Sequence, residues 1–140
     1  MRYGSQKGSF HLWRIVMGRR VLVIERSPLA RNIYLMILSK LDEVEMLSEE
    51  PGESMKKIQE IVKGFDLIVI SQSTLGDRKN DFLKLIKAIS KNQKIPCILF
   101  VNKGVVSEWH DFSVLDNVEI IERPFRPDDM LKTIKKMWGG

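Results

Sequence analysis

The chain has 140 residues, enough for one domain with a sizeable core and too few for two independent ones. Its 44% hydrophobic and 29% charged residues are a globular composition, and no stretch approaches the ~18 unbroken apolar residues of a membrane-spanning helix. The formal charge of +5 is confined to the amino terminus: residues 1–20 carry Arg2, Lys7, Arg14, Arg19 and Arg20 and no carboxylate, so the rest holds 23 − 5 = 18 basic against 18 acidic groups, which argues against a nucleic-acid partner.

Residues 1–18 read as an amino-terminal extension or an expression remnant ahead of a domain spanning residues 19–138. Phe10, Leu12, Trp13, Ile15 and Val16 precede a second methionine, Met17, and Gly18-Arg19-Arg20 opens onto the first strand. The aromatic residues of this arm could also dock on the body or pair at a sheet edge.

Val21-Leu22-Val23-Ile24 is a continuous apolar run of the kind a parallel strand shows when both its faces are buried. Ser27 stands at an N-cap position and Pro28 in a first turn, and Leu29, Ile33, Leu35, Met36, Leu38 and Leu41 form the apolar stripe expected of the following helix. Val44 to Leu47 gives a weaker strand flanked by acids. After Pro51-Gly52, Met55, Ile58, Ile61 and Val62 recur at helical spacing until Gly64.

Leu67 to Ile70 is the third strand. A loop containing Gly76 leads to a helix over 81–90 with Phe82, Leu85, Ile86 and Ile89 on one stripe. The fourth strand runs from Cys97 to Val101. Its cysteine is the sole one in the chain, which excludes an internal disulfide, argues against a structural metal cluster and, with no cleavable signal evident, favours a cytoplasmic protein. Val105, Val106, Trp109 and Phe112 suggest a short fourth helix, Val118 to Ile121 a fifth strand, and Pro127-Asp128-Asp129 the start of a last helix whose acids sit at its positive end.

Parallel strands need crossover connections, and those are right-handed, so this alternation predicts an α/β three-layer sandwich of the flavodoxin-like (βα)5 type with strand order 2-1-3-4-5. Working residues in such sheets gather at the carboxyl ends of the strands. Here those ends are Glu25-Arg26, Ser71-Gln72, Val101-Asn102-Lys103 and Arg123-Pro124.

The segment from Val21 to Arg31, with Glu25-Arg26-Ser27-Pro28 at its centre, resembles the opening of a response-regulator receiver (CheY-like) domain. Asp66 to Ser71, Pro96 to Asn102 and Arg123-Pro124-Phe125 extend the resemblance across residues 19 to 138. The resemblance implies magnesium held by an acid pair after the first strand and a phosphoryl group accepted by an aspartate after the third. This chain departs from that pattern at all five positions: Glu25 stands for the first acid, Arg26 for the second, Ser71 for the phosphoacceptor, Val101 for the hydroxyl residue and Arg123 for the lysine. A hydroxyl cannot form an acyl phosphate, and a fixed cation beside the site repels a divalent metal.

The expected protein is therefore a degenerate pseudo-receiver: no enzyme, no cofactor, no metal, no aspartyl phosphorylation. It would serve as a phosphorylation-independent protein-protein interaction module in two-component signal transduction, acting on signalling proteins through the face of the fourth helix, fifth strand and fifth helix. Trp109, His110, Phe112, Ile120 and Trp138 are the candidate contacts, aromatic residues being enriched at binding hot spots. Trp109 and Phe112, three apart, fit equally well the core face of a short helix. A homodimer stays open. The alternative function is a small anionic ligand bound in the emptied pocket by Arg26 and Arg123 with Ser71, Asn102 and Lys103 at the rim. A flavin-binding enzyme is disfavoured, since the loop after the first strand lacks a phosphate cradle and no nucleotide-binding glycine motif occurs.

Overall fold

The computed structural model describes residues 19–41, 44–49, 64–92 and 95–139. The amino-terminal extension and the expected helix around Met55 to Val62 lie outside the described residues. Five strands form one parallel sheet: β1 (Arg19–Ile24), β2 (Val44–Glu49), β3 (Leu67–Ser71), β4 (Cys97–Asn102) and β5 (Val118–Arg123). Their order is β2-β1-β3-β4-β5, the doubly wound arrangement expected from the alternation of elements. The helices are α1 (Pro28–Leu38), α2 (Gln72–Leu75), α3 (Lys79–Asn92), α4 (His110–Ser113) and α5 (Pro127–Met137). Among the described residues no helix is long and apolar enough to cross a membrane.

The continuous apolar runs of the central strands follow from burial on both faces. Alternate residues point to opposite sides, so Val21, Val23, Leu67, Val69, Ile98 and Phe100 pack with Tyr34, Ile37 and Leu38 of α1 and Met130 and Ile134 of α5. Leu22, Ile24, Ile68, Ile70, Leu99 and Val101 pack on the other side with Phe82, Leu85, Ile86, Trp109 and Phe112.

Two elements differ from expectation. The loop expected after β3 is helical: Ser71 Oγ accepts from Thr74 N at 3.3 Å, capping α2, and a 3-10 turn (Gly76–Arg78), entered through Gly76 at φ +55°, leads directly into α3. In α1 the buried face is the wrong stripe by the sequence reading. Leu38 is buried and Leu35 and Leu41 are half-buried, but Leu29, Ile33 and Met36 are 73%, 39% and 62% exposed, while Tyr34 and Ile37 face the sheet. Every residue from Ile33 to Leu38 is apolar or aromatic, so periodicity allows either face. The sheet takes the one that stacks Tyr34 on Phe100, with ring centroids 4.7 Å apart.

Candidate functional site

Glu25, directly after β1, is a carboxylate at the carboxyl end of the sheet and is only 1% exposed. Burying a charge is costly unless hydrogen bonds replace its hydration. Its Oε2 accepts from Thr74 Oγ1 at 2.8 Å and from Ser27 N at 3.0 Å. Its Oε1 is buried and has no hydrogen-bond partner among the described residues. Thr74 is the hub of this network: its hydroxyl also accepts from Ser71 Oγ at 2.9 Å and from Arg26 N at 3.0 Å, which uses its single donor and both acceptor positions. Ser71, wholly buried at the end of β3, thus gives its proton to Thr74.

The cations stand around this core. Arg26 points outward and is exposed. Arg31 turns back from α1 and donates through Nε and Nη2 to the Glu25 carbonyl at 3.2 and 2.9 Å. Arg123, at the end of β5 and followed by a cis bond to Pro124, donates through Nη2 to Asn102 Oδ1 at 2.9 Å and through Nη1 to the Tyr34 hydroxyl at 3.5 Å. Asn102 N in turn donates to Gln72 Oε1 at 2.8 Å. Val101 is fully buried in the core and offers the site no polar atom.

Tyr34 joins the two halves. Burial first, and then the neighbouring Glu25 carboxylate, push its phenol up to about 12 against the opposing pull of Arg123. Burial likewise pushes the Cys97 thiol up to about 12. Both groups stay protonated in the folded chain at pH values where the unfolded chain has begun to ionise. The stability they contribute is complete below the ordinary values of 9.0 for Cys97 and 10.0 for Tyr34 and drains away as pH rises through about 12. The urea midpoint is therefore expected to fall between about pH 8 and 11, and Tyr34→Phe to show a smaller fall than the parent over that interval. An equal fall in both would remove Tyr34 from this account.

Of the five residues expected in the pocket, Glu25, Ser71 and Arg123 are joined through Thr74, Tyr34 and Asn102, whereas Arg26 contributes only its backbone and Val101 only packing. Thr74 and Tyr34 were missed. Thr74 sits where a loop was expected, although its spacing from Ser71 is that of a cap to the third helical position.

The expected interaction face needs correction. Phe112 is fully buried and Trp109 is 3% exposed; their rings lie 5.4 Å apart, and Phe112 is stacked on Phe82 at 6.1 Å. Lys79 Nζ sits 4.4 Å over the Trp109 ring and donates to the Glu108 carbonyl, closing the last open side. Both aromatics are needed inside because the turn (Val106–Trp109) and α4 present no other buried side chains to the sheet. Ile120 is half-buried against the same core. Trp138 is half-buried too, donating to the Asp66 carbonyl at 3.1 Å beneath the Arg19 guanidinium. His110 alone of the five is exposed.

Among the described residues the exposed large apolar side chains are Val106 and Val114, which flank the Trp109 region singly, and three that cluster on α1. Leu29, Ile33 and Met36 line the outer side of α1, beside a groove of about 440 Å³ bounded by Ile33, Ile37, Pro124, Phe125 and Pro127. Phe125, one of its lining residues, packs inward on the core rings, 4.6 Å from Phe100 and 6.3 Å from Tyr34.

Solved structures with this fold are receiver domains in the main. The chain is similar to a signal receiver domain of a two-component histidine kinase from Clostridium thermocellum (18% identity, TM-score 0.66, covering 87% of this chain and 98% of that one). It is similar to the chemotaxis response regulator CheY4 of Vibrio cholerae (20%, 0.65, 86% and 98%). It also matches the receiver domain of a sensor histidine kinase from Pseudomonas aeruginosa, with magnesium coordinated in its active-site cleft (13%, 0.65, 88% and 99%). No protein-family model and no curated protein sequence matches the chain. At these identities the likeness establishes the fold alone, a doubly wound parallel α/β sheet like that of receiver domains.

The donor set does not fit the magnesium of that last neighbour. Magnesium wants hard oxygens in an octahedron, commonly one or two carboxylates completed by phosphate and water. Among the described residues Glu25 is the carboxylate of this network, the Ser71 hydroxyl is engaged with Thr74 and the Thr74 hydroxyl with Glu25, and the Arg123 guanidinium lies at the end of β5. Among the described residues no three His, Cys, Asp or Glu side chains come together as a metal site.

Proposed function

We propose that this chain is a phosphorylation-independent pseudo-receiver, a protein-interaction module of signal transduction that catalyses no reaction and works among cytoplasmic signalling proteins. The observation that carries this reading is Ser71. The place at the end of β3 holds a buried hydroxyl whose proton is donated to Thr74, and phosphoryl transfer needs there a carboxylate flanked by metal and cation. The neighbouring hydrogen bonds satisfy Ser71, Thr74 and Glu25 Oε2 without any phosphoryl group. Receiver domains, which the sequence resembles, couple a hydroxyl after the fourth strand to an aromatic on the fifth; those positions here are Val101 and Ile120, aliphatic side chains that pack against the same core, which agrees with this reading.

The interaction surface that best suits such a module is the outer side of α1 with its adjoining groove, in place of the face carrying Trp109. Leu29 and Met36 are large apolar side chains exposed on a helix, next to a concavity lined by Ile33, Ile37, Pro124, Phe125 and Pro127 with Arg123 at its edge. A small-anion site draws less support: the buried Glu25 carboxylate stands where an anion would go, and Arg123 is already bonded to Asn102 and Tyr34.

Incubation with acetyl phosphate and magnesium, or with beryllofluoride and magnesium, is expected to leave the intact mass and the amide spectrum of the protein unchanged. A phosphoryl adduct mapped to any side chain of the strand-end site would overturn the proposal.

A further inference from the structure

We propose that the Tyr34 hydroxyl is a latch between α1 and the β5-α5 corner: while it stands between Glu25 and Arg123 the groove keeps its shape, and when it withdraws Arg123 closes on the Glu25 carboxylate. The latch belongs to the folded chain and stands apart from any partner of the groove.

The groove has two walls. Ile33 and Ile37 supply one, from α1, and Arg123, Pro124, Phe125 and Pro127 supply the other. Tyr34 belongs to the α1 wall but turns inward, 1% exposed, with its ring stacked on Phe100. Among the described residues the hydrogen bond that crosses between the walls runs from Arg123 Nη1 to the Tyr34 hydroxyl at 3.5 Å. That is long against the usual ~2.7–3.2 Å of such bonds. Arg123 Nη2, by contrast, holds Asn102 Oδ1 at 2.9 Å, so the guanidinium is anchored to β4 and only lightly to α1.

Withdrawal of the hydroxyl has somewhere to lead. Glu25 Oε1 is buried and has no hydrogen-bond partner among the described residues, a costly state for a carboxyl oxygen. The Tyr34 phenol is near it: burial, then the Glu25 carboxylate, then the Arg123 guanidinium bear on its ionisation. One hydroxyl therefore separates a buried acceptor from a cation that pairs more strongly with carboxylates than with phenols. Rotation about the single bonds of the arginine side chain closes that gap once the hydroxyl leaves. Latched, Arg123 serves Tyr34; open, it serves Glu25 Oε1. Two discrete pairings of one guanidinium make a two-state element, and a change at the groove or at Glu25 shifts its balance.

The Arg123 Nε–H resonance of the full chain tests this. Tyr34→Phe keeps the ring and removes the hydroxyl, and cooperative urea unfolding checks that it folds. It is expected to slow exchange of that proton with water by about a factor of five or more, as the guanidinium enters a buried ion pair. It is also expected to raise the fluorescence of added anilinonaphthalene sulfonate, which reports the loosened groove. Glu25→Gln placed on Tyr34→Phe returns the exchange rate to that of the parent, whereas Glu25→Gln alone leaves it there. An exchange rate that Tyr34→Phe does not alter overturns the latch, as does one slowed equally with and without Glu25, or dye fluorescence equal to that of the parent. Should Tyr34→Phe fail to fold, the parent protein decides through its isoleucine methyl signals. Exchange broadening of Ile33 and Ile37 that Glu25→Gln abolishes supports the latch; broadening that is absent or survives Glu25→Gln overturns it.

Discussion

Trp109→Ala is expected to destabilise the folded chain by about 3–5 kcal/mol, the usual cost of removing a large buried aromatic side chain and leaving a cavity. Trp109 is 3% exposed, packs on Phe112 and lies under the Lys79 ammonium, whose favourable contact with the ring goes as well. A domain of this size has about 5–15 kcal/mol in all, so the variant should sit close to its unfolding transition at room temperature. Urea titration followed by far-ultraviolet circular dichroism measures the loss without relying on tryptophan emission. His110→Ala, one residue along and exposed, should fall within about 0.5 kcal/mol of the parent. If Trp109→Ala proves as stable as the parent, the ring is not the anchor of the α4 region.

Thr74→Val should cost about 3 kcal/mol despite preserving shape and volume. The change deletes three hydrogen bonds at once: Ser71 Oγ and Arg26 N each lose an acceptor, and Glu25 Oε2 loses one of its two donors. Groups left unsatisfied in a buried setting each cost about 1–3 kcal/mol, and here one of the weakened groups is the Glu25 carboxyl at 1% exposure, left with Ser27 N as its donor. Ser71 can recover part of the loss by turning to Ser73 Oγ, 3.3 Å away, which holds the total below the sum of three. Thr74→Ser, which keeps the hydroxyl, is expected to cost far less. Equal destabilisation by valine and serine would place the effect in packing and dismiss the hydroxyl hub.

The order of strands and the positions of their ends were legible because buried parallel strands announce themselves as short unbroken apolar runs, and these were separated by cap, proline and glycine signals. Legibility stopped where a pattern had two solutions. In α1 the apolar run from Ile33 to Leu38 supports two faces, and which one meets the sheet depends on the shape of Phe100, seventy residues away in the chain. Trp109 and Phe112 posed the same problem over a single turn, and the deciding contacts came from Phe82 and Lys79 on α3. Which residues stand at the strand ends, Glu25, Ser71 and Arg123 among them, was legible from the ends of the apolar runs. How these groups satisfy one another was not: the cap spacing of Ser71 and Thr74 says nothing of the Thr74 bond to Glu25, and Tyr34 acts through its proximity to Glu25 and Arg123, far away in the chain.

Strand β5 closes one edge of the sheet, paired with β4 alone among the described strands, and it reads Val-Glu-Ile-Ile-Glu-Arg before Pro124. An unpaired edge is an open template on which another chain can add its own strand. Glu119 and Glu122 put charge along this one, and Pro124 has no amide hydrogen with which to extend the ladder. Growth through the sheet, which has no natural stopping point, is thereby discouraged. A strand added there would have to lie beside Glu119 and Glu122 and stop short at Pro124, so crowding this protein should not lengthen the sheet through β5.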